Sequence, residues 1–187
     1  MKRLLLGLGL LLAVSCISTD SETQQIKRYY SGFQDGDYSK IKAVLADSVT
    51  LISGDNVMPF NPESYYKQFK WDSVFQPKYK LNSITVQHKK RIAKVSLNSM
   101  KIKFLQNNAM SCSYEFSFVD GKISKIKELD CPTADWPLWG QRVDSLVQFI
   151  EKNHPDLDGF IHDLSMQGAQ NYLDAIEAYE RHRKTKP

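Results

Sequence analysis

The sequence predicts an α+β domain in which helices pack into the concave face of a bent antiparallel sheet. Three observations carry this. From Met110 to Phe118, the residues Met110, Cys112, Tyr114, Phe116 and Phe118 alternate with Ser111, Ser113, Glu115 and Ser117. That period of two gives a strand one apolar and one polar face. Asp120-Gly121 follows between Val119 and Lys122, a two-residue hairpin signal. Far upstream, Ile26, Tyr29, Tyr30 and Phe33 fall at i, i+3, i+4 and i+7, the stripe of an amphipathic helix.

The elements follow in order. Asp35-Gly36-Asp37 ends the first helix, and Ile41, Val44 and Leu45 give a second its apolar side. Val49 to Ile52 is a short strand, and Gly54-Asp55-Asn56 reads as a turn. Asn61-Pro62 starts a third helix that carries Tyr65, Tyr66, Phe69 and Trp71. From Leu81 to Cys131 the pattern is a four-stranded meander. Its first strand, Tyr79 to His88, turns through Lys89-Lys90-Arg91, read as a solvated hairpin tip. In its second, apolar parity flips between Leu97 and Met100. We expect a β-bulge near Asn98-Ser99 to bend the sheet there, with the strand running on through Ile102 and Phe104. A three-residue loop, Asn107-Asn108-Ala109, then pairs Phe104 with Cys112 and Ile102 with Tyr114.

Cys112 and Cys131 lie on the two strands of the Asp120-Gly121 hairpin. An unbulged register puts both on one face, where they could form a disulfide. A bulge near Ser124-Lys125 puts them on opposite faces. The spacing leaves both open.

Residues 132–187 form an extension. Pro132 to Pro137 reads as a linker bearing Trp136, with Trp139 just beyond. Helices are expected over Gln141–Lys152 and Ser165–Arg183, each with an apolar stripe, packed on the domain as an integral part of it.

The N-terminus carries an address. Lys2-Arg3 and the apolar run Leu4 to Val14 make residues 1–15 a secretory signal, too short to span a membrane. Ala13-Val14-Ser15-Cys16 resembles the bacterial lipobox, with Ala13 where Leu is usual. The resemblance implies acylation at Cys16, while Ala13-Val14-Ser15 also suits the ordinary signal peptidase cutting at the same bond; Ile17 to Gln25 is polar, so residues 16–25 read as the lipidated Cys and a short tether. It places the protein at the bacterial cell envelope, lipid-anchored at the outer membrane. The lipid membrane is the expected partner.

Net charge is +4, of which Lys2 and Arg3 supply two, so the remaining charge is too weak to argue for nucleic acid. His88, His154, His162 and His182 have no metal spacing. His154-Pro155-Asp156-Leu157-Asp158-Gly159 resembles part of a calcium loop, but Ser165 stands where the bidentate Glu is needed. No cofactor or metal is expected.

Arg28-Tyr29-Tyr30 with Gly36-Asp37, Val44-Leu45-Ala46-Asp47-Ser48-Val49, and Phe118-Val119-Asp120-Gly121-Lys122-Ile123 together resemble the nuclear transport factor 2-like superfamily. The SnoaL-like and steroid isomerase branches are the nearest. The resemblance covers about residues 22–131, within an expected domain of 26–131. It implies a cone-shaped sheet with helices inside it and a mostly apolar pocket. Pocket candidates are Tyr29, Tyr30, Phe33, Ser53, Asp55, Tyr65, Phe69, Trp71, Ile102, Phe104, Tyr114 and Phe116. By the same resemblance, the isomerase oxyanion-donor Tyr falls on Tyr29, its second donor near Tyr114, and its general-base Asp on Ser53. A serine cannot shuttle a proton near neutral pH.

The expected function is therefore a membrane-anchored, non-catalytic binding or accessory module with a pocket for a small apolar ligand. One alternative is a SnoaL-like enzyme using Asp55 or Asp72 as its acid or base. Another is a homodimerising interaction domain with a filled core.

Overall fold

The computed structural model describes residues 17–87 and 90–185, with side chains from Ser21 onward. The segment expected to be a secretory signal, Cys16, His88-Lys89 and the last two residues lie outside the described residues. The helices are α1 (Ile17–Asp35), α2 (Tyr38–Lys42), α3 (Pro62–Ser73), α4 (Met100–Gln106), α5 (Trp136–Asn153) and α6 (Met166–Thr185). The strands are β1 (Leu45–Ser53), β2 (Asn56–Phe60), β3 (Lys78–Gln87), β4 (Lys90–Asn98), β5 (Met110–Val119) and β6 (Lys122–Asp130). They form one sheet in the order β2-β1-β6-β5-β4-β3.

The meander β3-β4-β5-β6 is antiparallel throughout, as its alternation requires. β1 joins its far edge parallel to β6, and β2 hairpins onto β1 through the turn at Gly54-Asp55. The strand β2 was not expected from the sequence. Its apolar residues Val57 and Met58 are exposed on an edge, so they carry no burial pattern.

The largest correction is α4. Ile102 and Phe104 are not strand residues opposite Tyr114 and Cys112. Val95 pairs with Cys112 instead, and Ala93 with Tyr114. After β4 the chain turns into a helix capped by Ser99, whose hydroxyl accepts from the Ile102 N–H at 3.0 Å. Asn107 closes the helix in the left-handed conformation at φ 68°. The parity slip after Leu97 therefore marked a change of period, not a bulge. A seven-residue apolar-rich stretch fits either period, and packing decides between them.

The bulges that bend the sheet lie elsewhere. Pairing shifts around Asn82 in β3, and around Ser124 and Leu129 in β6. Two bulges in one strand restore its parity. Ser113 then pairs with Asp130, which sets Cys112 beside Cys131, and the structure joins the two in a disulfide. The bond closes a loop of sequence separation 19. Its reduction is expected to cost about 3 kcal/mol by loop entropy. Thermal melts with and without a thiol reductant measure that loss, and identical melting temperatures contradict it.

Two cores result. The first fills the cone: Ile26, Tyr29, Tyr30 and Phe33 of α1 meet Tyr65 and Phe69 of α3 and Val95, Phe116, Ile123 and Ile126 of the sheet. The second is a helical cap. Leu146 and Ile150 of α5 and Ala169, Tyr172 and Ile176 of α6 pack on Trp71, Phe75, Phe104 and Leu105. Both helices follow the expected stripes, but α5 starts at Trp136, earlier than the linker reading placed it. The Asp135 carboxylate caps it by accepting from the Leu138 N–H at 3.0 Å. The cap covers the end of the cone where β3 and β5 begin and β4 and β6 finish. At the opposite end the β3–β4 and β5–β6 hairpins turn.

The segment expected as a polar tether is also different, because α1 starts at Ile17. Ile26 is fully buried, and Glu22 makes an ion pair with the buried Arg91 at 2.8 Å. Among the described residues, no helix is long and apolar enough to cross a membrane.

Candidate functional site

The cone interior is built from aromatic rings. α1 presents Tyr29 and Tyr30 edge-on to each other at 5.0 Å between centroids. Tyr29 also meets Phe33 at 5.2 Å and Phe116 at 6.0 Å. Phe33 stacks obliquely on Tyr79 at 4.8 Å and on Phe69 at 5.4 Å. Such contacts are the edge-to-face and tilted geometries of a packed core. The hydroxyls of Tyr29 and Tyr65 satisfy each other in a direct hydrogen bond. Burial pushes the pKa values of Tyr29, Tyr30, Tyr65, Tyr79 and Tyr114 well above the usual phenol value, so all stay protonated. They are hydrogen-bonding groups, not bases.

The pocket candidates divide. Tyr29, Tyr30, Phe33, Tyr65, Phe69 and Phe116 come together in the cone as core residues, with Tyr114 at its margin. Trp71 and Phe104 belong to the cap core instead, because α3 and α4 turn those faces outward from the cone. Ile102 packs with Met110 and Cys112 beside the disulfide. Asp55 is exposed in the β1–β2 turn, where it meets water and not the cone. Ser53 is half-buried at the end of β1 and donates to Glu128 Oε1 at 3.1 Å. Glu128 lies directly opposite Tyr114 across β5 and β6. A carboxylate thus sits beside the position that resembles the isomerase base, supplied by a different strand. Glu128 falls between two bulges, so the strand's alternation could not place it.

A small, half-open pocket lies at the cap end. It is a cavity of about 150 Å³ lined by Asp72, Phe75, Pro77, Tyr79, Leu97, Ser99, Lys101, Ile102, Met110 and Trp139. Asp72 comes from α3 and accepts from Gln68 Nε2 at 3.3 Å. Burial raises its pKa from the ordinary carboxylate value, against the lowering effect of Lys101. Lys101 comes from α4. Its Nζ stands 4.5 Å above the Trp71 ring and 5.2 Å above Phe75. Burial lowers the Lys101 pKa, against the raising effect of Asp72. No ion pair within 4.0 Å joins the two among the described residues. The site therefore offers one carboxyl and one amine, half-buried and without an ion pair between them, in a largely apolar space. Sequence reading weighed Asp72 but missed Lys101, because α4 was taken for a strand. The Ser99 cap and the Asn107 stop were the signals that could have found it.

The raised Asp72 pKa has a stability consequence. The folded state favours the protonated acid, so at neutral pH the ionised carboxylate destabilises the fold. The penalty disappears as the pH falls through the raised pKa toward the ordinary carboxylate range. Asp72→Asn is therefore expected to melt higher than wild type at pH 7, with the gap closing on acidification. A lower melting temperature for Asp72→Asn at pH 7 contradicts this.

Among the described residues, Cys112, Glu128 and Cys131 bring possible ligand atoms within 4.8 Å of one another, but the two sulfurs are bonded to each other.

Neither a protein-family model nor a curated protein matches the sequence. Solved structures do match. Bal32a, from a soil-derived mobile gene cassette, superposes with a TM-score of 0.53 at 13% identity, over 66% of this chain and 97% of its own. A protein of Xanthomonas campestris pv. campestris, provisionally described as a polyketide cyclase, gives 0.50 at 14% identity, over 67% and 98%. An NTF2-like protein of unknown function from Cytophaga hutchinsonii gives 0.49 at 11% identity, over 63% and 94%. About a third of this chain lies outside each match. At such identities the likeness is one of architecture. Six strands curled around α1 and α3, with the cone filled from inside, make this the nuclear transport factor 2-like fold.

Proposed function

We propose that this chain is a lipid-anchored module of a bacterial cell envelope that binds a small ligand under its helical cap without chemically transforming it. One observation carries the reading: Asp72 and Lys101 both line a pocket of about 150 Å³ with no ion pair between them among the described residues. Each charge is held in surroundings that disfavour it. Titratable groups whose charged form is disfavoured by burial, at a pocket, are candidates for a binding site. The volume is below the roughly 300–1,000 Å³ of drug-sized ligand sites. The ligand is therefore small and mostly apolar, with one or two polar groups. The lipobox at Cys16 supports the address.

Native purification followed by mass spectrometry of extracted small molecules tests the reading. A species retained by wild type and lost from both Asp72→Asn and Lys101→Met supports it. A wild-type protein that carries nothing, and that no compound of a small-molecule panel stabilises against heat, sinks it.

The second reading is an enzyme, favoured by Glu128 beside Ser53 and by the description attached to the Xanthomonas neighbour. Steroid isomerisation is expected to stay at background, because Ser53 cannot act as the base. Conversion that disappears in Glu128→Gln or Tyr29→Phe contradicts the binding-module reading.

A further inference from the structure

We propose that the hairpin end of the cone rests against the lipid bilayer, so that the helical cap and its cavity face away from the membrane. The inference rests on the reading that Cys16 carries the anchor. It follows from how short the leash is and where it is tied.

Glu22 of α1 is fixed to Arg91 at 2.8 Å. Arg91 lies at the start of β4, paired with Val86 of β3 and Phe116 of β5. The tie is therefore level with the hairpin end. Six residues separate Glu22 from Cys16. Fully extended they reach about 20 Å at most. Continued as helix, they reach about 9 Å. The cap lies at the far end of the strands. A nine-residue strand such as β4 spans about 30 Å. With its acyl chains in the bilayer, Cys16 keeps the hairpin end at the surface and the cap well away from it.

The chemistry of that end agrees. Val86 is 53% exposed and Val119 is 56% exposed, each beside a hairpin turn of this end. Exposed valines there are an apolar edge suited to the headgroup boundary. Two of the described cations of this end are paired there, Lys90 with Glu115 and Arg91 with Glu22, and Lys122 donates to the Ala43 carbonyl. The leash and the valines set the contact. A ligand reaches the cavity from the aqueous side.

The test uses the chain from Cys16 onward, which keeps every described residue. Cys112 and Cys131 are bonded, so Cys16 is the one free thiol of the three cysteines. It is coupled to a maleimide phospholipid in phosphatidylcholine vesicles, and amide hydrogen exchange is followed by segment. Exchange in 84–87 and 117–124 is expected to slow roughly tenfold relative to uncoupled protein, with α5 and α6 unchanged. The slowing should survive 0.5 M salt, at which the Debye length is only a few Å. It should vanish in Val86→Asp/Val119→Asp. Protection over α5 and α6, or at neither end, overturns the inference while leaving the anchor untouched. Wild-type protein recovered without an acyl mass increment overturns the anchored reading, and this inference with it.

Discussion

Ending the chain after Cys131 is expected to leave protein that is insoluble or melts far below the full chain. The truncation removes Leu146, Ile150, Phe160, Tyr172 and Ile176, all with at most 6% of their surface exposed. Burying one such side chain contributes about 1.5–3 kcal/mol before entropy is counted. Five together rival the roughly 5–15 kcal/mol by which whole domains are stable. The loss is doubled in kind, because the same cut uncovers Trp71, Phe75, Phe104 and Leu105 on the domain side. Solubility and a calorimetric melt of the truncated chain decide the matter. A fragment as soluble and stable as the whole protein would mean that the cap is an independent arm. Leu146→Ala samples the same core with the chain intact and is expected to cost about 2–5 kcal/mol.

Glu22→Ala is expected to destabilise the protein by about 1–3 kcal/mol, although Glu22 lies half-exposed at the edge of the domain. Arg91 is only 5% exposed, and its Nε has no hydrogen-bond partner among the described residues. The Glu22 carboxylate at 2.8 Å is the acidic partner that compensates its charge. Removing that carboxylate strands a guanidinium in the interior, which costs more than an exposed pair gains. The double variant Glu22→Leu/Arg91→Met removes both charges and is expected to recover most of the loss. Urea denaturation of the three variants measures this. A Glu22→Ala protein within about 1 kcal/mol of wild type would show that water reaches Arg91.

How much was legible depended on whether a signal was local. The α1 stripe, the Asn61-Pro62 helix start, the alternation of β5 and the Asp120-Gly121 turn all appear as read. Each is dictated within one element by side-chain period, a cap or a turn residue. β2 was missed because an exposed edge strand has no buried face to mark it. α4 was misread because Met100, Ile102 and Phe104 alternate like a strand, while Ser99 and Asn107 bound a helix. The tether was misread because polarity marks solvent exposure and not the absence of helix.

The sequence by itself determined the α+β class, the superfamily resemblance, the main helices, the meander and the expectation of an envelope address. Periodicity and short motifs are sufficient for those. Only the tertiary structure decided which of Tyr29, Trp71, Ile102 and Phe104 share a core, and that two bulges in β6 set Cys112 opposite Cys131. It alone brought Asp72 beside Lys101, Ser53 beside Glu128, and Glu22 onto Arg91. Those pairs join residues 29 to 75 positions apart, and no local period encodes them. They are set where the cone closes, by which arrangement buries the most apolar surface while leaving the fewest polar groups alone.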